Sequence, residues 1–238
     1  MTAKRFSATV GRHEVVGVLH LPGRLPGPCV VACHGMGASK DSDKYLMLGR
    51  ELPPAGLALA RFDFRGSGES GGLYRDATIA TRIADLEAVL DYLAKQPELD
   101  GRFGLLGSSL GGFVALWVAG ARRETVPVVT WNSPASLVDL FQTDPLDTTG
   151  PGAALAAEVM RGDRVHAPAG VSHCLVIQGD GDGVVPPSHG RLLYERAVEP
   201  KALHVIAGAD HRLTEPLHRL EALERTREWF TQHLMRDR

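Results

Sequence analysis

Short apolar runs alternate along the chain with longer segments of helical period. Phe6–Val10 and Glu14–Leu21 read as two strands joined at Gly11-Arg12, the pattern of a hairpin. Cys29–Cys33, Leu57–Phe62, Phe103–Leu106, Val126–Trp131, Cys174–Gln178 and Leu203–Ile206 are short apolar runs bounded by turn residues, the signature of buried strands. Between them lie helical segments. Asp43–Leu52 stops at Pro53-Pro54. Thr78–Lys95 places Ile79, Ile83, Leu86, Leu90 and Leu93 on one face and is stopped by Pro97 and Asp100-Gly101. Leu110–Ala121 is almost wholly apolar, and a final helix runs from Pro216 to Met235 with Leu217, Leu220, Leu223, Phe230 and Leu234 inward. Strands alternating with helices after an opening hairpin predict an α/β fold with a mostly parallel central sheet covered on both faces.

One segment breaks this rhythm. Residues Pro134–Ser172, rich in Asp, Pro, Gly and Ala, separate two core strands and hold one short helical pattern, Ala153–Arg161. A structureless loop of that length is unusual in a compact domain, so the segment is expected to be a small cap inserted over the C-terminal edge of the sheet. The whole chain, residues 1–238, is then one domain.

Composition narrows the function. A net charge of −2 gives no whole-protein case for nucleic acid binding. No apolar run approaches the roughly 18 residues of a membrane span. Met1–Ser7 carries Lys4 and Arg5 without an apolar stretch behind them, so no secretory signal is expected there. Cys29, Cys33 and Cys174 all sit in apolar runs. They are expected to be reduced and buried, as in a cytoplasmic protein, with neither disulfide nor metal role. Glycine, at 27 of 238 residues, exceeds the usual ~7% and clusters where apolar runs end.

In open α/β sheets, sites form at the C-terminal ends of strands. The pattern G-x-S-x-G occurs at Gly107–Gly111 and at Gly68–Gly72. A nucleophile elbow needs a strand before it and a helix opening at the serine. Ser109 has both, whereas Ser70 lies in a glycine loop with no helix after it and reads as a turn residue. The plain alternative for Ser109 is a helix cap. A serine nucleophile needs a base and an acid that orients the base. His211 lies in a short turn between a strand and the last helix, where the base belongs on this architecture, while His204, His218 and His233 read as packing or surface residues. Asp182 is favoured as the acid, because the extra residues let its loop reach His211, and Asp180 is the alternative. The oxyanion would be met by the backbone N–H groups of Leu110 and Met36. His34 is assigned to shaping the loop that carries Met36. Gly66-x-Gly68-x-x-Gly71 has no helix at its last glycine, so no dinucleotide site is assigned, and no cofactor is implied.

Five motifs in order, His34–Gly37, Asp63–Ser70, Gly107–Gly111, Gly179-x-x-Asp182 with Val185-Pro186, and Gly208–His211, resemble those of the α/β-hydrolase superfamily. Within it the chain is similar to compact bacterial esterases of the cinnamoyl/feruloyl-esterase and serine-aminopeptidase-like group. The resemblance implies a triad of Ser109, Asp182 and His211, oxyanion donors at Met36 and Leu110, and a structural Asp63–Ser70 loop. It implies hydrolysis of small-molecule carboxylic esters, with a thioesterase or small peptidase as the alternative using the same groups. A non-catalytic binding protein on this fold is the alternative of another class, disfavoured because all three triad positions are filled.

Overall fold

The computed structural model describes residues 2–143 and 152–235. Strands β1 (Thr2–Val10) and β2 (His13–Leu21) form the expected hairpin, with Val10 paired to His13 and Gly11 in the left-handed region at φ 60°. The remaining strands are β3 (Gly27–Cys33), β4 (Ala58–Phe62), β5 (Leu99–Ser108), β6 (Val128–Trp131), β7 (Cys174–Gly179) and β8 (Lys201–Ile206). They make one eight-stranded sheet in the order β1-β2-β4-β3-β5-β6-β7-β8. Pairing is antiparallel through β1, β2 and β4 and parallel from β4 to β8.

Helices α1 (Asp43–Glu51), α2 (Ile79–Leu93), α3 (Leu110–Ala121), α4 (Leu137–Thr143), α5 (Ala153–Met160), α6 (Pro187–Arg196) and α7 (Pro216–Leu234) complete the fold. Strand side chains alternate between faces, and β3 shows how both are covered. Cys29, Val31 and Cys33 pack with α2 and α3, whereas Val30 and Ala32 pack with Tyr45 and Leu48 of α1 and Phe230 of α7. Every residue of β3 is buried, as a strand between two helical layers must be. The three cysteines are free and buried.

Three features depart from the sequence reading. Residues 187–196 form α6, although Gly190 and a largely polar sequence mask it. Only His189, Gly190 and Leu193 of this helix are buried. Asp100-Gly101 lies inside β5 rather than acting as a helix stop. Between the Gly27–Leu99 and Cys29–Phe103 pairs β3 advances by two residues and β5 by four, so the excess bulges out with Gly101 at φ 85°. The region expected to be a cap holds α4 as well as α5, and its residues 144–151 lie outside the described residues.

Helix α5 is tied to the core by a buried carboxylate. Glu158 accepts the N–H groups of Ile79 at 2.5 Å and Ala80 at 3.1 Å, and the Thr78 hydroxyl accepts the Thr81 N–H at 3.0 Å. The donors of the first turn of α2, which a helix cannot satisfy itself, are all matched.

Candidate active site

The C-terminal ends of β5, β6, β7 and β8 converge on one place. Ser109 sits between β5 and α3 with φ 55° and ψ −128°, a conformation non-glycine residues avoid. Close packing holds it there: a Cβ on Gly111 would lie 2.1 Å from the Cys33 carbonyl oxygen, and one on Gly107 would lie 2.3 Å from the Gly112 nitrogen. The Ser109 side chain makes no capping bond to α3. Its Oγ instead lies 3.1 Å from His211 Nε2.

His211 follows β8 and places Nδ1 2.8 Å from Asp182 Oδ2. The Asp182 side chain is fully buried. Its other oxygen accepts the N–H groups of Val184 and Val185, each at 2.8 Å. A carboxylate with two backbone donors and one imidazole partner is fixed in place. Asp180, two residues earlier, accepts the Gly208 N–H at 2.5 Å and so ties the β7 and β8 loops together instead. Asp210 is occupied by the backbone N–H and hydroxyl of Thr214.

Asn132, which the sequence reading passed over, holds the same loops from β6. Its amide nitrogen donates to the carbonyls of Asp210 at 3.0 Å and His211 at 3.1 Å, and its oxygen accepts the Gly179 N–H at 2.7 Å. An asparagine at a strand end that tolerates a left-handed φ of 51° was the available signal.

Met36 and Leu110 both line a cavity with Ser109 and His211. Leu110 opens α3, so its N–H lies outside the helix's own ladder. The loop carrying Met36 runs against Ser109: a Cβ on Gly35 would sit 3.1 Å from the Ser109 Cβ. His34 is buried beneath this loop, its Nε2 accepting the Phe64 N–H at 3.0 Å and its Nδ1 2.8 Å from the Gly35 carbonyl. That pair fixes the neutral tautomer with the proton on Nδ1. Burial, reinforced by the Arg82 guanidinium, holds the ring down to about 4. Ser70 accepts from the Val16 N–H and donates to the Asp63 carbonyl, a bracing role.

Two clefts meet at Ser109. One, of about 490 Å³, is walled by Leu110, Pro134, Leu140, Phe141 and Val184. The other, of about 440 Å³, is lined by Lys44, Arg212 and Arg219 among others. Among the described residues no group of three His, Cys, Asp or Glu side chains is placed to hold a metal ion, and no helix is long and apolar enough to cross a membrane.

This architecture, a mostly parallel sheet with a serine elbow after its fifth strand, is that of an α/β-hydrolase. The chain belongs to the prolyl oligopeptidase family, whose profile matches residues 50–237. It is 30% identical over 130 residues to bovine mitochondrial palmitoyl-protein thioesterase ABHD10, covering 54% of this chain and 40% of that protein. It is 27% identical over 180 residues to YfhR of Escherichia coli K12, an uncharacterized protein, covering 75% of this chain and 61% of that one. The chain thus spans about two-fifths to three-fifths of these relatives. Among solved structures, Est1E from Butyrivibrio proteoclasticus with ferulic acid bound superposes with a TM-score of 0.84 at 18% identity, covering 97% of this chain and 99% of that one. Mouse α/β-hydrolase domain-containing protein 10 gives 0.79 at 21% identity, covering 97% and 99%.

Proposed function

We propose that this protein is a serine hydrolase of carboxylic esters, acting on small molecules through an acyl-enzyme. The observation that carries the reading is the continuous hydrogen-bonded chain from Ser109 Oγ through His211 to Asp182. His211 Nε2 takes the Ser109 proton as Oγ attacks the carbonyl carbon. The resulting oxyanion is met by the N–H groups of Met36 and Leu110. The tetrahedral intermediate collapses, and His211 returns the proton to the leaving alcohol. A water then gives its proton to His211 and attacks the acyl carbon, releasing the acid and restoring Ser109. Asp182 keeps the Nδ1 proton in place and stabilises the imidazolium without taking the proton.

The segment Pro134–Ser172 acts as a small cap in this reading: its Pro134, Leu140 and Phe141 form one wall of the substrate cavity. Buried free thiols fit a cytoplasmic setting. The stretch of similarity to the ABHD10 thioesterases favours one second reading, a thioester in place of the oxygen ester.

Labelling by a fluorophosphonate tests the assignment. Wild-type protein is labelled at Ser109 and hydrolyses p-nitrophenyl butyrate, and Ser109→Ala loses both. Folded wild-type protein that takes no label, or Ser109→Ala that retains hydrolysis, overturns it. Parallel acyl-thioester assays decide between the two bonds.

A further inference from the structure

The second cleft at Ser109 has a chemistry that ester hydrolysis alone does not use. Its lining includes Gly35 and Met36 of the oxyanion loop, Ser109 and His211, and then Lys44, Arg212 and Arg219. Three cations therefore face one carboxylate, that of Asp43, whose side chain is 86% exposed and 3.7 Å from Arg219. Among the described residues, no carboxylate lies within ion-pair distance of Lys44 or Arg212. The Lys44 ammonium donates to a neutral partner, the buried Ser108 hydroxyl, at 2.8 Å. Arg219 donates from Nη2 to the Thr214 carbonyl at 2.9 Å, and its buried Nε has no hydrogen-bond partner.

Like charges gathered without counterions cost stability, and partly buried ones cost most. Burial, with Arg212 and Arg219 as neighbours, pushes Lys44 down to about 8. The nearby acids are committed elsewhere: Asp182 to His211 and backbone N–H groups, Asp210 to Thr214. An anion entering the cleft would supply the missing partner for Lys44 and Arg212 and a second one for Arg219, whose only carboxylate among the described residues is the exposed Asp43. The apolar cleft shares Met36, Ser109, His211 and Arg212 with this one, so the two diverge from the point where a scissile carbonyl must sit.

We infer that the cationic cleft is an anion subsite: the substrate is an ester or thioester with a carboxylate or phosphate on one half, held by Lys44, Arg212 and Arg219, while its apolar half lies against Leu110, Leu140 and Phe141. This rests on the serine-hydrolase reading and specifies its substrate class. Arg212 and Arg219 provide planar forks suited to either anion, and Lys44 a point charge at Ser108, the neighbour of Ser109.

The test compares matched esters. On the acyl side, p-nitrophenyl hydrogen glutarate is set against p-nitrophenyl methyl glutarate. On the leaving-group side, butyryl glycolate and butyryl ethylene-glycol phosphate are set against butyryl methyl glycolate. In wild-type protein at least one anionic ester exceeds its neutral match about tenfold or more in kcat/KM. That ratio falls about threefold or more in Arg212→Gln and in Lys44→Met, drops below one in Arg212→Glu, and shrinks as salt is raised. Which pair responds identifies the half and the anion. Anionic-to-neutral ratios at or below one in every pair, or a ratio that Arg212→Glu leaves intact, overturn the subsite while leaving the hydrolase reading standing. Loss of Ser109 labelling and of all ester hydrolysis in wild-type protein overturns that reading instead. In that event calorimetry on Ser109→Ala still decides the subsite. Butyryl glycolate binding more tightly than its methyl ester, with the difference abolished by adding Arg212→Glu, upholds it, and equal affinities reject it.

Discussion

Asn132 donates across the end of the sheet to the carbonyl of His211, 3.1 Å away, so the backbone bearing the imidazole is held from β6. The same side chain grips Asp210 and Gly179. Asn132→Ala should lower kcat for p-nitrophenyl butyrate by about 10- to 100-fold, the cost of a displacement near 1 Å at a reacting group. KM should change much less. Steady-state kinetics with a parallel rate of fluorophosphonate labelling measure this, and an unchanged labelling rate would remove Asn132 from any positioning role.

Asp180 and Asp182 separate cleanly by contact. Asp182→Asn should cut kcat by roughly 10⁴-fold, because the amide no longer enforces the Nδ1–H tautomer of His211. Asp180→Asn retains an oxygen that accepts the Gly208 N–H, so it should leave kcat within about threefold and lower stability by ~1 kcal/mol or less. Kinetics and urea unfolding of both variants check the pair. The reverse ranking would reassign the acid.

Two glycines beside the site should differ sharply. Gly111→Ala drives a methyl group to 2.1 Å from a backbone carbonyl, and neither α3 nor β3 can retreat without breaking the sheet. The variant should be insoluble or unfolded. Gly37 has open space around its Cβ position but a φ of 65°, so Gly37→Ala should fold at a cost of about 1–2 kcal/mol. Soluble yield and thermal melts distinguish these outcomes.

His34 makes stability fall in acid. Its ring is held neutral to about pH 4 in the folded state against 6.5 for the free side chain. Between those values the unfolded chain binds a proton that the folded chain refuses, so stability rises with pH across that window and is lost on acidification. The slope from this one group is at most about 1.4 kcal/mol per pH unit. Protonation would also remove the acceptor for the Phe64 N–H. Urea midpoints from pH 7 to about pH 4 should decline in wild-type protein and decline less steeply in His34→Gln.

Periodicity made the sheet legible wherever strands are buried on both faces, because such strands are apolar without interruption. Cys29–Cys33 and Cys174–Gln178 fall within one or two residues of β3 and β7. Helix α6 escaped because two of its three buried residues are Gly190 and His189, which carry no apolar signal, and Leu193 alone makes no period. Gly190 is there to let the helix approach Gln178, 2.9 Å from where its Cβ would stand. Ser109, Asp182 and His211 stood out through glycine spacing at strand ends, since tight turns at a sheet edge need glycine whatever the chemistry. The contributions of Asn132 and Lys44 did not stand out. Each acts on residues between about 45 and 80 positions away, and only the topology brings them together.

The Glu158 contact changes how the inserted segment can be regarded. A wall of the cavity at Ser109 is the kind of part whose exchange between relatives would alter which ligands fit. Here the same stretch of chain carries the carboxylate that two N–H groups at the start of α2 depend on. A graft from a relative lacking that carboxylate would change the pocket and expose bare donors in the core at the same time. The segment and the helix it caps are therefore one structural unit, joined by a contact remote from Ser109.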